Sequence, residues 1–238
     1  MKRTVTWLVA GAMSFSALAG CSASPTSGGT SAAAATSIKI GLNFELSGDV
    51  ASYGQAEAQG AEMAAEEINA AGGINGKKVE IVKYDDKSDT AEATTLATKL
   101  MTQDKVLTVI GPATSSGMKA QIPVATKNSV PIISGSATAD DLTFANGKVN
   151  EFVFRTCFND SFQGTAMANY AAKKLSAKSA VILKDTSSDY AKGLADAFDK
   201  TFKANGGTIV DTQAYVAKQT DFNAVLTKFK GEQFDVIY

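Results

Sequence analysis

The sequence predicts an α/β fold of two doubly wound lobes, and three observations support this. Apolar strand-like runs alternate with amphipathic helical segments from residue 38 to the end of the chain. Short turns rich in Gly, Ser, Thr and Asp separate the two kinds of segment. A strand at residues 151–157 leaves the first group of units and leads into a second group. Such units form parallel sheets through right-handed crossovers, so we predict a first lobe at 38–154 and a second at 155–238.

The first residues have the pattern of a targeting segment and not of a folded domain. Lys2 and Arg3 precede an apolar run at 5–18 that is short and interrupted for a membrane span. The run ends in the letters LAGC, which resemble a bacterial lipobox with its cysteine at Cys21. We therefore predict a lipoprotein signal peptide at 1–20 and a lipid anchor on Cys21. Residues 21–37 lack charge and large apolar side chains, which predicts a flexible tether.

Two strands and two helices alternate at the start of the first lobe. They are predicted at 38–44 (strand), 53–71 (helix), 79–84 (strand) and 90–102 (helix). Tyr53 heads the first helix, where the pattern allows either a packed core residue or a ligand contact. The acidic run at 85–89 lacks the Gly and the closing Glu of a calcium loop, so we interpret it as a turn that caps the next helix.

The segment at 106–143 contains the chemistry around which the chain is organised. A buried strand at 106–110 leads into a small-residue turn at 111–117 and a helix, in which Pro123 predicts a kink or an early end. A second strand at 130–134 leads into a second turn at 135–138. Both turns would lie at the carboxyl ends of parallel strands, where ligands of such folds bind.

The two turns offer hydroxyl groups, main-chain N–H groups left bare by small residues, and no charge before Lys119. Such a surface suits a small anion, most simply a carboxylate. The alternative is structural: Ser115 and Ser116 would cap the helix, and the second turn would be an ordinary loop. The hydroxyl-bearing residues are Thr114, Ser115, Ser116, Ser136 and Thr138.

The second lobe repeats the alternation of helices and strands. Its elements are predicted near 160–175 (helix), 180–183 (strand), 190–205 (helix), 208–215 (strand), 222–229 (helix) and 234–238 (strand). In the first of these helices we expect Phe162, Ala166, Tyr170 and Leu175 to face inward. Because the last strand would be left uncovered, we expect both lobes to be incomplete and the fold to be truncated at its C-terminus.

Composition excludes several function classes. The 238 residues include no histidine and two cysteines, which removes Ser-His-Asp and Cys-His catalytic arrangements and His-ligated zinc. We expect no metal, no cofactor and no enzymatic activity, and we interpret Cys157 as a small, partly buried hydrophobic residue. The phosphate-binding motifs are absent, and a slightly negative net charge gives no general attraction for nucleic acid.

Several motifs together resemble one family. They are KIGLNFELSGDVASYG, VIGPATSS, VPIISGSATADDLT, FRTCFNDSFQG and DYAKGLADAF, and the similarity extends over residues 38–238. This combination resembles the periplasmic-type branched-chain amino acid binding proteins of ABC importers. The resemblance implies two Rossmann-like lobes of the type I periplasmic binding protein fold, with the ligand in the cleft between them.

The resemblance also implies a ligand-binding role for six residues. Ser115 matches a serine that holds the ligand carboxylate, and Thr138 matches a threonine whose hydroxyl and N–H also bind it. Ser136 falls where a main-chain carbonyl accepts the ligand's ammonium group, with Ala137 beside it. Tyr53 and Tyr190 match aromatic residues that line the cleft from opposite lobes. An acidic residue that completes the ammonium site in the family would follow Tyr238.

The function implied is capture of leucine, isoleucine or valine and delivery to an ABC permease. We expect a monomer that is lipid-anchored outside the cytoplasmic membrane of a bacterium. The alternatives are a receptor for another amino acid, an amide or urea, and a ligand-sensing module without transport.

Overall fold

The computed structural model describes residues 37–238, which fold around two parallel β-sheets and one small hairpin. The predicted signal peptide, Cys21 and the tether up to residue 36 lie outside the described residues. The strands of the first sheet are β1 (Ser37–Phe44), β2 (Lys78–Asp85), β3 (Thr108–Ile110), β4 (Ile132–Ser134) and β7 (Val153–Arg155).

The order in this sheet is β2-β1-β3-β4-β7, and all neighbouring pairs are parallel. The predicted lobe boundary between residues 154 and 155 falls within β7. The hairpin is formed by β5 (Phe144–Ala145) and β6 (Lys148–Val149).

Three helices connect the strands of the first sheet: α1 (Ala51–Ala70), α2 (Thr90–Thr102) and α3 (Ser115–Asn128). The predicted cap of α2 is confirmed, because Asp89 at its N-cap accepts from the N–H of Glu92 over 2.8 Å. Helix α3 continues through Pro123 to Asn128, so the predicted early end is wrong.

The second sheet has the order β10-β8-β9, again with parallel neighbours. Its strands are β8 (Ser179–Asp185), β9 (Thr208–Tyr215) and β10 (Val236–Ile237), and its helices are α4 (Asp160–Lys173), α5 (Asp189–Ala204) and α6 (Asn223–Lys230). Its core contains the rings of Phe198 and Phe202, which stack 5.3 Å apart. We call the parts built on the two sheets the first lobe and the second lobe.

The predicted inward face of α4 is wrong. Phe162, Tyr170 and Leu175 are exposed, and Ala166 is exposed as well. Apart from Asp160 at its first position, the buried residues of α4 are Gly164, Ala168 and Ala171. Their small size allows α4 to approach α5 closely: a Cβ added to Gly164 would lie 2.7 Å from the Cβ of Ala197. Close helix packing thus outweighs burial of the larger side chains on α4.

The sheet register places the two predicted turns side by side. Val109 and Ile110 in β3 pair with Ile132 and Ile133 in β4, so both strands end at the same edge. Strand β1, on the other side of β3, ends at that edge too. The segments that follow these strands therefore meet at one point of the first lobe. Among residues 37–238, no helix combines the length and the apolar character needed to cross a membrane.

Candidate functional site

A cavity of about 470 Å³ opens where the two turns of the first lobe meet the second lobe. No Lys, Arg, Asp or Glu lines it among the residues that the structure describes. Its wall combines hydroxyl groups with apolar and aromatic side chains, as expected for a small-molecule site. The lining residues are Val50, Tyr53, Ala113, Thr114, Ser115, Ser116, Gly135, Ser136, Thr138, Cys157, Phe158, Gln163, Ser188 and Tyr190.

Ser115 links the two turns. Its hydroxyl oxygen, which is buried, accepts the main-chain N–H groups of Thr138 and Ala139, each over 3.1 Å. A hydroxyl oxygen has two lone pairs and one proton, so these two bonds leave Ser115 with its proton alone. Towards the cavity, Ser115 can therefore act only as a donor.

Thr138 supplies a second hydroxyl group. Its Oγ1 atom is buried and forms no hydrogen bond of regular geometry among residues 37–238, but it lies next to the carboxyl group of Asp160. Its N–H donates to Ser115, so the predicted use of that N–H for a ligand is not open in this arrangement. Because Thr138 also lines the cavity, its hydroxyl can donate either to Asp160 or to a ligand.

The expectation of bare main-chain N–H groups in both turns is largely wrong. In the first turn, the N–H groups of Ala113 and Thr114 donate to the carboxyl group of Glu45 over 2.9 and 3.0 Å. In the second turn, the N–H of Ala137 donates to Ser134 Oγ over 3.0 Å. The small residues leave these groups accessible, but side chains of the protein take them.

The N–H groups of Ser115 and Ser116 are the exception. No acceptor among residues 37–238 receives them, and they lie in the first turn of α3. A helix N-terminus carries unsatisfied donors and a partial positive charge, so these groups favour an anion.

Glu45 is a site residue that sequence reasoning missed. It follows β1, is fully buried, and also accepts from the hydroxyl of Thr114 over 2.7 Å. Thr114 in turn accepts from the N–H of Gly117 as the N-cap of α3. Glu45 thus fixes the entry to α3 and the orientation of Ser115. A carboxylate just after a strand was the available signal, but its long-range partners were not visible in the sequence.

The two predicted tyrosines both lie on the cavity wall. Tyr53 is 64% exposed, which decides between its two interpretations: it is not a core residue. Tyr190 belongs to the second lobe, and its hydroxyl accepts from Gln163 Nε2 over 2.9 Å. The structure therefore brings aromatic rings from both lobes to one cavity.

Ser136 reaches the cavity, whereas Ala137 does not. Ala137 is fully buried, and its carbonyl oxygen lies 3.4 Å from Cys157 Sγ. The carbonyl oxygen of Ser136 receives no donor within residues 37–238. Cys157 is a free thiol on the wall of the cavity; burial raises its pKa, and the charge of Arg155 acts in the opposite direction.

Asp160 adds a buried carboxyl group beside this site, and sequence reasoning missed it too. Its N–H donates to the carbonyl oxygen of Thr138 over 2.9 Å, and its carboxyl group lies next to the Thr138 hydroxyl, although not in regular hydrogen-bond geometry. Burial raises the pKa of Asp160, while the Thr138 hydroxyl and the charges of Arg155 and Lys119 act in the opposite direction.

The lobes touch across the mouth of the cavity. The N–H of Asp189, at the start of α5, donates to Ser116 Oγ over 3.1 Å. The carboxylate of Asp189 lies 3.7 Å from Lys119 Nζ and 2.7 Å from Lys192 Nζ. Burial alone would raise the pKa of Asp189, but the bond from Lys192 and the charge of Lys119 hold it below its ordinary value.

A second cavity, of about 400 Å³, lies in the second lobe between α5 and β9. Its charged residues pair with one another or with neighbours, as Lys203 does with Asp199 over 2.7 Å and Lys184 with Asp196 over 3.7 Å. It offers no unpaired buried donor or acceptor, so the first cavity is the better candidate. Among the described residues, no group of three or more His, Cys, Asp or Glu could hold a metal ion.

Comparison with known proteins identifies the family. The model of the periplasmic binding protein family matches residues 37–238. The Leu/Ile/Val-binding protein BraC3 of Rhizobium johnstonii is 39% identical over 201 residues, which are 84% of this chain and 53% of that protein.

Solved structures agree in fold. The branched-chain amino acid transporter substrate binding protein LivJ from Streptococcus pneumoniae, in complex with isoleucine, shares 52% identity with a TM-score of 0.76 over 84% of this chain and 56% of its own. The leucine binding protein LivK from Thermotoga maritima shares 33% identity with a TM-score of 0.78 over 84% of this chain and 55% of its own. The chain thus spans little more than half the length of these relatives. On the match to residues 37–238, it belongs to the periplasmic binding protein family and has its type I fold.

Proposed function

We propose that the protein is an extracytoplasmic solute-binding protein that captures leucine, isoleucine or valine between its lobes and delivers it to an ABC importer. The observation that carries this proposal is the set of hydrogen bonds made by the hydroxyl of Ser115. Its lone pairs accept two N–H groups, so only its proton is left for the ligand. The ligand atom that it meets must therefore be an acceptor.

The surroundings of Ser115 support a carboxylate as that acceptor. The hydroxyl of Thr138 can donate to a ligand instead of Asp160, and the N–H groups of Ser115 and Ser116, which have no acceptor among residues 37–238, add further donors. No cationic side chain lines the cavity among the described residues, so the anion would be held by neutral dipoles at a helix N-terminus. Bonds of this type to a charged group contribute about 1.5–3 kcal/mol each.

The rest of the wall supports an amino acid with an apolar side chain. The unpaired carbonyl oxygen of Ser136 can accept from an ammonium group, and Asp160 supplies a carboxyl group close to Thr138. Tyr53 and Tyr190 offer aromatic surface to an aliphatic side chain. The branched-chain ligands printed in the names of the similar proteins fit this combination.

Calorimetry with a matched set of ligands tests the proposal. Leucine, isoleucine and valine should bind to the whole protein, while leucinamide, which lacks the carboxylate, should bind at least about tenfold more weakly. Benzoate keeps a carboxylate but lacks the ammonium group, so it should be weak as well. No heat with any branched-chain amino acid would refute the ligand; binding of another amino acid, an amide or urea would favour the alternative receptor.

We also propose that the protein acts by binding alone, as a monomer, and not as an enzyme. The absence of histidine from the sequence supports this. Transport and sensing differ in their consequence for the cell: deletion of the gene should abolish uptake of labelled leucine if the protein serves an importer. Normal uptake together with a lost response to leucine would favour a sensing module.

We propose that a lipid on Cys21 anchors the protein to the outer side of the cytoplasmic membrane. The sequence before it, with Lys2, Arg3 and the apolar run at 5–18, supports this. Labelled fatty acid should be incorporated into the wild-type protein and not into Cys21→Ala. Equal labelling of both would refute the anchor.

A further inference from the structure

The hydroxyl of Ser136 lies close to two oxygen atoms that could each accept a hydrogen bond from it. Ser136 Oγ lies within hydrogen-bond distance of Glu57 Oε1 and of the carbonyl oxygen of Ala113, the latter at 2.8 Å. A serine hydroxyl has a single proton and can donate to one of them. A carbonyl oxygen cannot donate, so the bond to Ala113 must use the proton of Ser136.

The proton in the contact between Ser136 and Glu57 must then come from Glu57. If the carboxyl group of Glu57 were ionised, two oxygen lone pairs would face each other without a hydrogen between them. If Glu57 holds a proton, its hydroxyl donates to Ser136 Oγ and both contacts are satisfied. The other carboxyl oxygen, Oε2, lies 2.8 Å from a Cβ built on Gly135, and the main chain of Gly135 lowers the pKa of the group. A proton on Oε1, donated to Ser136, satisfies the contact.

The surroundings of Glu57 favour the neutral form. Burial raises the pKa of Glu57, its contacts with Ser136 and with the main chain of Gly135 lower it, and the charge of Glu45 raises it again. The titratable groups that face it are Glu45, at the end of β1, and the thiol of Cys157, after β7. No Lys or Arg among residues 37–238 forms an ion pair with it.

We propose that Glu57 is a positioning residue that holds a proton and donates it to Ser136. The chain of donors runs from Glu57 to Ser136 to the carbonyl oxygen of Ala113, and it joins α1 to both turns of the site. Because Glu57 is then neutral, it adds no negative charge to the carboxyl groups of Glu45 and Asp160 that already lie near the hydroxyls of Ser115 and Thr138. The proton on Glu57 does not depend on the proposed function. Only its expected effect on ligand affinity rests on that function.

The proton can be observed without a ligand. Carbon NMR of the whole protein with labelled glutamate side chains would follow each carboxyl group from about pH 4 to about pH 9. The signal of Glu57 is identified by its loss in Glu57→Gln. We expect its midpoint to lie clearly above the ordinary value of 4.5. A midpoint at or below that value would overturn the proposal.

Ligand affinity gives the second readout. Deprotonation breaks the donor chain and adds a negative charge next to the carboxylate site, so affinity for leucine should fall as pH rises through the midpoint of Glu57. Glu57→Gln keeps the bond to Ser136, because its amide nitrogen can donate to Ser136 Oγ at every pH. It should bind leucine within about threefold of wild type and lose the pH dependence, whereas Glu57→Ala should bind more than about tenfold more weakly.

Two outcomes would contradict a neutral Glu57 in the affinity experiment. One is a Glu57→Gln variant as weak as Glu57→Ala, and the other is a Glu57→Gln variant with unchanged pH dependence. If the wild-type protein binds no branched-chain amino acid, the proposed function fails. The NMR midpoint would still decide whether Glu57 holds its proton.

Discussion

The main-chain N–H of Asp189 in the second lobe donates to Ser116 Oγ in the first lobe over 3.1 Å. The two residues stand at the starts of α5 and α3, next to the cavity. This bond connects the lobes beside the cavity. We expect a closed arrangement around a ligand to keep the bond and separation of the lobes to break it.

Ser116→Ala should weaken ligand binding by destabilising this closed arrangement. The variant loses the acceptor of the Asp189 N–H, and a neutral hydrogen bond contributes about 0.5–1.5 kcal/mol. We expect calorimetry to show a threefold to tenfold rise in Kd. Small-angle scattering should show that the protein expands when the ligand is removed. Thr95→Ala, on the exposed side of α2, is the control and should change neither quantity. An unchanged Kd for Ser116→Ala would mean that the bond does not assist closure.

Thr138→Val should weaken binding and change stability little. The buried Oγ1 of Thr138 contacts Asp160 only in irregular geometry, so its replacement by a methyl group should change the free energy of unfolding by less than about 1 kcal/mol. The same change removes a donor to the ligand and should raise Kd about tenfold. Urea unfolding and calorimetry measure the two effects.

Thr98→Val makes the same substitution on the exposed face of α2 and should leave Kd unchanged. A Thr138→Val variant that binds as tightly as wild type would exclude the hydroxyl from the site. Ser115→Ala is less informative, because it also leaves two main-chain N–H groups without an acceptor.

Asp86 should make the protein less stable as pH rises. Burial and the neighbouring charge of Glu45 raise the pKa of Asp86 to about 7, while the N–H of Ser88 lowers it and the charges of Asp85 and Asp89 raise it further. The unfolded chain releases this proton near pH 4. The stabilising contribution is therefore complete below about pH 4 and is lost as pH increases towards 7.

Asp86→Asn removes this dependence, because the amide is neutral at every pH and its oxygen can still accept from Ser88. The variant should gain stability over wild type above neutral pH, by up to about 4 kcal/mol. Urea unfolding at pH 5 and pH 8 measures the difference. The same stability difference at both values would show that Asp86 is ionised throughout.

Gly164→Ala should destabilise the second lobe. The added Cβ would lie 2.7 Å from both the Cβ of Ala197 and the carbonyl oxygen of Leu194, so α4 and α5 would have to move apart. We expect a loss of about 1–3 kcal/mol in urea unfolding. Gly60→Ala is the matched control, because Gly60 also lies in a helix but has nothing within 4 Å of its added Cβ. It should stabilise α1 by about 0.5–1 kcal/mol, and equal effects of both changes would contradict the packing of α4 on α5.

Local patterns predicted the order of the elements well. The alternation of residues 38–44 and the helical spacing of residues 90–102 depend on neighbours in the chain, and both elements formed as predicted. The inward face of α4 could not be found in this way. Phe162 and Tyr170 are the more hydrophobic choice, but the glycine and alanines of α4 permit the closer contact with α5.

The candidate site likewise contains some residues that local patterns could predict and others that they could not. Ser115, Ser136 and Thr138 stood out because hydroxyl-bearing turns follow two buried strands, and the sheet places those turns side by side. Glu45 and Glu57 gave no such signal. Each lies far along the chain from the turn that it contacts, 68 residues for the bond from Ala113 to Glu45 and 79 for the bond from Ser136 to Glu57.

The sequence by itself determined the alternation of strands and helices, the family and the chemistry of the two turns, because these depend on residue types and their local spacing. The tertiary structure alone decided which donors stay free. Hydrogen bonds between distant segments use the N–H groups of Ala113 and Thr138 and leave the proton of Ser115 for a ligand. Such competition for protons and lone pairs depends on distances across the fold, which no local pattern contains.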